Sequence, residues 1–203
     1  MIYLREASED EMILEFLRGE IKSKRFQSQI VDILNDQKEG TGLIENADLN
    51  SSIENSKRKE VLRIFRGYGD NTHLFENFPY LSRWILAECT CEDINKIRYI
   101  NYSYWNELSK HTGSPLIAAD TIREGREIYD VSNSAFINGV SYLEQGGSFP
   151  PVILLTADNT NFIILERHSR MTVYGLAPSF FEGSKCYIGI CEEKALLKWN
   201  TSS

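Results

Sequence analysis

The chain reads as an α+β protein, with a mostly helical N-terminal part packed on a small mixed sheet. Three observations predict this. Apolar residues recur at helical spacing in the first third, as Ile13, Leu17 and Ile21 and then as Val61, Leu62 and Phe65. Later, two short apolar runs, 152–155 and 162–165, flank the turn residues Asp158-Asn159-Thr160-Asn161. A hydrophobic fraction of 42%, with 10 Phe, 10 Tyr and 3 Trp, gives 203 residues the apolar surface for a sizeable core. The division expected is a helical region over 1–130 and an α/β unit over 131–203, together one compact body.

The elements follow in order. Ser8-Glu9-Asp10-Glu11 is a capping box: the serine hydroxyl can accept from the third helical N–H while Glu11 reaches back. It opens a helix over about 9–34, continuous or interrupted, with Gly19 a weak point inside it. Residues 36–56, with Gly40, Gly42 and several Asn and Ser, read as a loop holding a short helical turn. Residues 54–65 form a helix that Gly67-Tyr68-Gly69 ends. Phe75, Phe78, Tyr80 and Trp84 make an aromatic patch running into a short helix through Ala87. Further helices are expected over 101–110 and over 114–124, where Pro115 sits in the favoured first turn. The next is capped by Ser132 or Asn133 and carries Phe136, Ile137, Val140 and Leu143 towards Gly146-Gly147.

Pro150-Pro151 fix an extended start for the strand over 152–155. After the polar turn comes the second strand, then a helix bearing Met171, Val173, Tyr174 and Leu176. A third strand is expected over 187–190 and a closing helix over 192–199, with a loose tail after it.

Composition limits the function classes. Net charge is −7, spread evenly: 18 acids against 14 bases in residues 1–100, and 11 against 8 in the rest. Phosphate neutralisation supplies most non-specific nucleic-acid affinity, so stable binding of duplex DNA by this chain alone is not expected. Lys57-Arg58-Lys59 with Arg63 and Arg66 is a local basic cluster, read as the solvated face of a helix. No apolar run has the length to cross a bilayer, and the first residues do not form a signal peptide, so a cytoplasmic protein with no membrane partner is expected. The spacing of Cys89, Cys91, Cys186 and Cys191 fits neither a zinc ribbon nor a finger; reduced thiols without metal are expected.

The chemistry concentrates where the second strand meets its helix. Glu166-Arg167-His168-Ser169-Arg170 sets five polar residues at a helix start, where unpaired N–H groups and the helix dipole favour an anion. Arg170 adds a planar fork suited to phosphate or carboxylate, Ser169 a hydroxyl, and His168 a donor or acceptor. Arg170 in a structural ion pair, with His168-Ser169 as caps, is the competing reading. Glu166 is read either as an ion-pair partner or as a metal-ligating or general-base carboxylate. His73 and His111 stand alone.

This stretch resembles the ParB/sulfiredoxin-like fold, including the ParB-like nucleases. The pattern is a helix ending near Gly146-Gly147, a Pro-led strand, a polar turn, a second strand and a Gly-x-x-Arg helix start, here Arg167 to Arg170, followed by a further strand over 186–190. The resemblance covers residues 133–191. It implies a phosphate- or nucleotide-binding protein, with Mg²⁺ accompanying the nucleotide and with hydrolytic or nuclease activity. Arg167, His168, Ser169 and Arg170 are the ligand-binding residues it designates. Arg167 stands where the family has Gly, so its side chain either takes over part of the phosphate contact or closes the site. In the second case the chain is a non-catalytic protein-interaction module. His168 stands where sulfiredoxins carry their reactive Cys, so sulfiredoxin chemistry is not expected.

Overall fold

The structure, a computed structural model, describes residues 1–192 and residue 196. The closing helix expected over 192–199 and the tail after it lie almost wholly outside the described residues. The chain forms two compact units, Ala7–Pro79 and Met1–Glu6 with Tyr80–Ser203. The sheet-bearing unit thus begins well before residue 131.

Ala7–Pro79 is helical. α1 (Glu9–Glu20) opens on the expected capping box: Glu11 N–H donates to Ser8 Oγ at 3.1 Å and Ser8 N–H to Glu11 Oε2 at 2.8 Å. The helical stretch expected over 9–34 is interrupted, and the break falls after Gly19, at Lys22-Ser23-Lys24-Arg25, which carries no apolar side chain to hold a helix against the core. α2 (Gln27–Asp36) restarts the pattern with Ile30, Ile33 and Leu34 buried. α3 (Gly42–Glu45) is the short turn of the expected loop, and α4 (Ser52–Arg66) ends at Gly67 with φ +80, where a Cβ would lie 2.3 Å from Thr72 O.

The basic cluster of α4 is paired with acids. Arg58 is fully buried; it donates to Leu43 O at 3.0 Å and Asp48 O at 2.9 Å, fastening the preceding loop, and pairs with Glu54. Lys57 meets Glu39 at 2.5 Å, Lys59 meets Glu9 and Arg66 meets Glu20, each at 2.9 Å, and Arg63 sits between Glu60 and Asp70.

The other unit is built on a six-stranded mixed sheet. Its strands are β1 (Ile2–Ala7), β2 (Leu81–Glu88), β3 (Ile97–Arg98), β4 (Val152–Thr156), β5 (Phe162–Glu166) and β6 (Lys185–Cys191), in the order β1-β2-β6-β4-β5-β3. β6 is antiparallel to β2, with Leu86 opposite Tyr187, and parallel to β4, with Leu154 opposite Ile188. β4 and β5 form the expected antiparallel pair, and β3 runs parallel to β5.

The short helix expected through Ala87 is β2. Trp84, Ile85, Leu86 and Ala87 are all buried, and a run buried on both faces has no period by which to tell strand from helix. The helices of this unit are α5 (Ser103–Leu108), α6 (Pro115–Arg123), α7 (Ser134–Glu144) and α8 (His168–Leu176). α8 packs against both α6 and α7 at glycines. A Cβ on Gly175 would lie 2.4 Å from Pro115 O, and one on Gly139 of α7 would lie 2.6 Å from Val173. The core joins Ile85, Leu154, Ile164 and Ile188 of the sheet to Met171 and Val173 of α8. Among the described residues, no helix is long and apolar enough to cross a membrane.

Candidate functional site

The strand–turn–strand–helix unit forms as its residues dictate. Asp158 Oδ1 accepts from the N–H groups of Thr160 at 2.8 Å and Asn161 at 2.9 Å, and Asn159 takes φ +59. Bonds from Thr160 first, and from the backbone, hold the Asp158 carboxyl well below the usual range. Thr156 closes the turn by donating to Asn161 O at 2.7 Å. β5 then delivers the chain to Glu166, half-buried and opposite Ile153.

At Arg167 the backbone turns left-handed, with φ +76 and ψ +39, and α8 begins at the next residue. Few side chains other than Gly and Asn adopt this conformation. Arg167 is only 4% exposed, and its Nη1 donates to Pro151 O at the head of β4. The first turn of α8 contains no acid, and no side chain at its N-cap accepts from it. The positive end of the helix is thus left without local carboxylate compensation within its own first turn.

His168 turns inward. Its ring lies on Trp105 (centroids 5.4 Å apart, planes at 17°) and beside Tyr99 (6.1 Å, 19°). Burial pulls its pKa down to about 3, against a small opposing effect of the Ile164 carbonyl, so the ring is neutral near pH 7. Tyr99 Oη bonds Thr172 Oγ1 at 2.7 Å, and Thr172 Oγ1 donates to His168 O at 3.0 Å. This chain ties the start of α8 to the segment after β3. Burial pushes the Tyr99 hydroxyl above its ordinary pKa, which keeps it a donor.

Ser169 is exposed. Arg170 is half-buried, its guanidinium carbon 5.9 Å from the Phe149 ring centroid. Phe149 meets Tyr174 edge-on at 5.5 Å and stacks on Tyr142 at 5.6 Å. Beneath Phe149 and Tyr174 lies a pocket of about 320 Å³ that Pro151, Glu182, Ser184 and Lys185 also line. Burial raises the Tyr174 hydroxyl to about 12, while Arg167 and Arg170 act weakly in the opposite sense. Glu166, Arg167 and Arg170 each have a partner in the folded chain.

The five residues singled out in sequence therefore share one helix start but do not aim at one point. Ser169 and Arg170 face outward or towards the aromatic wall; Arg167 and His168 are turned into the protein. Tyr99, Trp105 and Thr172 were not among them. Thr172 follows His168 by one helical turn, but the two aromatics lie far upstream and no local pattern connects them to α8.

The remaining chemistry-bearing groups are dispersed. His111, exposed in the turn after α5, has its Nε2 3.2 Å from Glu107 Oε1. Cys91 N–H donates to Glu182 Oε2 at 2.7 Å, and Cys191 Sγ lies 3.5 Å from Thr156 O. Cys89 and Cys186 do meet, with their sulfurs 3.4 Å apart. Among the described residues, no three His, Cys, Asp or Glu side chains form a group able to hold a metal ion. The chain matches no family model, no curated protein and no solved structure.

Proposed function

We propose that the start of α8 binds a phosphate-bearing ligand, of which a nucleotide with Mg²⁺ is the form implied by the ParB/sulfiredoxin-like resemblance. The observation that carries the reading is the left-handed backbone at Arg167. The family pattern has glycine at this position, and the chain keeps the glycine-like conformation although the residue is arginine. The helix behind it starts without an acid or a side-chain cap. Backbone N–H groups and the Ser169 hydroxyl are donors at this helix start, a ligand would draw the Arg170 guanidinium from its partner within the chain, and Glu166, likewise partnered, is the carboxylate for a hydrolytic step. His168, neutral and stacked, positions the helix rather than contributing charge.

One observation favours the second reading, a protein-interaction module without a ligand. The Arg167 side chain is buried and bonded to Pro151 O, so it fills space that glycine would leave open. The two readings are separated by a thermal-shift screen of nucleotides and inorganic phosphate with and without Mg²⁺, since a ligand of the native state alone raises the melting point. On the first reading a ligand emerges, and Arg170→Ala weakens it about tenfold or more, the equivalent of a charge-assisted hydrogen bond of about 1.5–3 kcal/mol. No shift with any nucleotide or phosphate, in the native chain and in Arg167→Gly alike, would leave the interaction module as the function.

A further inference from the structure

In the sheet-bearing unit one sulfur atom, Cys186 Sγ, is approached by two others that are far from it in sequence. Cys89 follows the end of β2 and Cys186 lies in β6; their Sγ atoms are 3.4 Å apart and both residues are at most 1% exposed. The Sδ of Met1 lies 3.9 Å from Cys186 Sγ. The strand pairing causes the first approach: Ala87 is opposite Cys186, and two residues on, Cys89 N–H donates to Ser184 O at 2.8 Å. In an antiparallel pair this places both thiols on one face, on a diagonal. Met1 is half-buried and packs against the same core.

We propose that Cys89, Cys186 and Met1 form a binding site for a soft monovalent d¹⁰ ion, Cu(I) being the physiological member of that class. Two thiols and a thioether are the donors that select Cu(I) over hard cations. Three sulfurs sharing one ion at about 2.3 Å stand about 4 Å apart when arranged as a triangle around it. The two separations about Cys186, 3.4 Å to Cys89 Sγ and 3.9 Å to Met1 Sδ, are close to two edges of that triangle. Zinc is disfavoured, since it takes four tetrahedral ligands of nitrogen, oxygen or thiolate type. In the binding step two Cu–S bonds form from the cysteines, their two thiol protons pass to solvent, and the thioether donates a lone pair. The copper stays Cu(I) throughout, and no oxidant or reductant is consumed. The expectation of unligated thiols rests on a cytosolic character and on the spacing of the four cysteines, neither of which takes Met1 into account.

The test delivers Cu(I) anaerobically from its bicinchoninate complex to the reduced chain. One equivalent is expected to transfer, and copper X-ray absorption of the loaded protein is expected to show three sulfur neighbours. Cys89→Ala and Cys186→Ala each lower the transfer at least tenfold, whereas Cys91→Ala combined with Cys191→Ala leaves it unchanged. Should a core variant fail to fold, the absorption measurement on the native chain still decides. No transfer to the native chain, a shell containing nitrogen or oxygen, or full transfer in a folded Cys186→Ala would overturn the proposal.

Discussion

The left-handed turn at Arg167 makes a prediction about stability in which glycine and alanine change their usual order. Arg167→Ala removes the guanidinium bond to Pro151 O and the buried side chain, while keeping a Cβ at φ +76. A hydrogen bond from a charged donor is worth about 1.5–3 kcal/mol, so a loss of that size is expected. Arg167→Gly suffers the same loss but relieves a backbone cost of about 1–2 kcal/mol for a left-handed L-residue. Part of this gain is offset by the greater freedom of glycine in the unfolded chain, which leaves Arg167→Gly the more stable variant by about 1 kcal/mol. With a urea slope of roughly 1–3 kcal/mol/M, its midpoint should lie about 0.5 M above that of Arg167→Ala. Tryptophan fluorescence is the suitable probe, since Trp84 and Trp105 both lie in the sheet-bearing unit. Equal midpoints, or a higher one for Arg167→Ala, would refute the left-handed turn and with it the main support for the phosphate site.

Two further outcomes test how α8 is held. Gly175→Ala drives a Cβ to 2.4 Å from Pro115 O, and overpacking of this kind is expected to destabilise the unit by about 1–3 kcal/mol in a urea titration. His168 has a folded-state pKa near 3, below its ordinary 6.5, so on acidification the unfolded chain takes up the proton first. Its contribution to stability is complete above pH 6.5 and declines as pH falls towards 3, by up to about 1.4 kcal/mol per pH unit. His168→Phe, which keeps an aromatic ring against Trp105, should flatten that part of the curve. An NMR titration of the His168 ring with a midpoint near its ordinary value would contradict the burial argument.

Much of this architecture is legible in the residues, and the misses have physical causes. β4, β5 and the centre of β6 can be read because short apolar runs are bounded by Pro150-Pro151, by the Asp158–Asn161 turn chemistry and by Gly and Ser before Lys185. β2 has no polar alternation, so its buried core resembles a turn of helix. β3 is two residues long and exists only because β5 lies beside it. At the candidate site, residue types locate the helix start but not the aim of the side chains. A left-handed arginine cannot be anticipated from its chemistry. The inward turn of His168 depends on Tyr99 and Trp105, whose approach to α8 is decided by the whole sheet-bearing unit.

The position of β6 has a consequence for how the sheet is assembled. β6 is the last of the described strands along the chain, yet it lies in the interior of the sheet, with β2 on one side and β4 on the other. Until it inserts, β1-β2 and β4-β5-β3 are separate ribbons, each with an unpaired edge that β6 is to cover. On a ribosome the two ribbons can form early, but their union waits for residue 191 to emerge from the exit tunnel. The nascent unit therefore passes through a stage with two open, largely apolar edges, the surfaces most prone to pairing with another chain. A truncation that stops before Lys185 should reproduce that stage and aggregate, whereas closure of the full sheet is a long-range and correspondingly slow event.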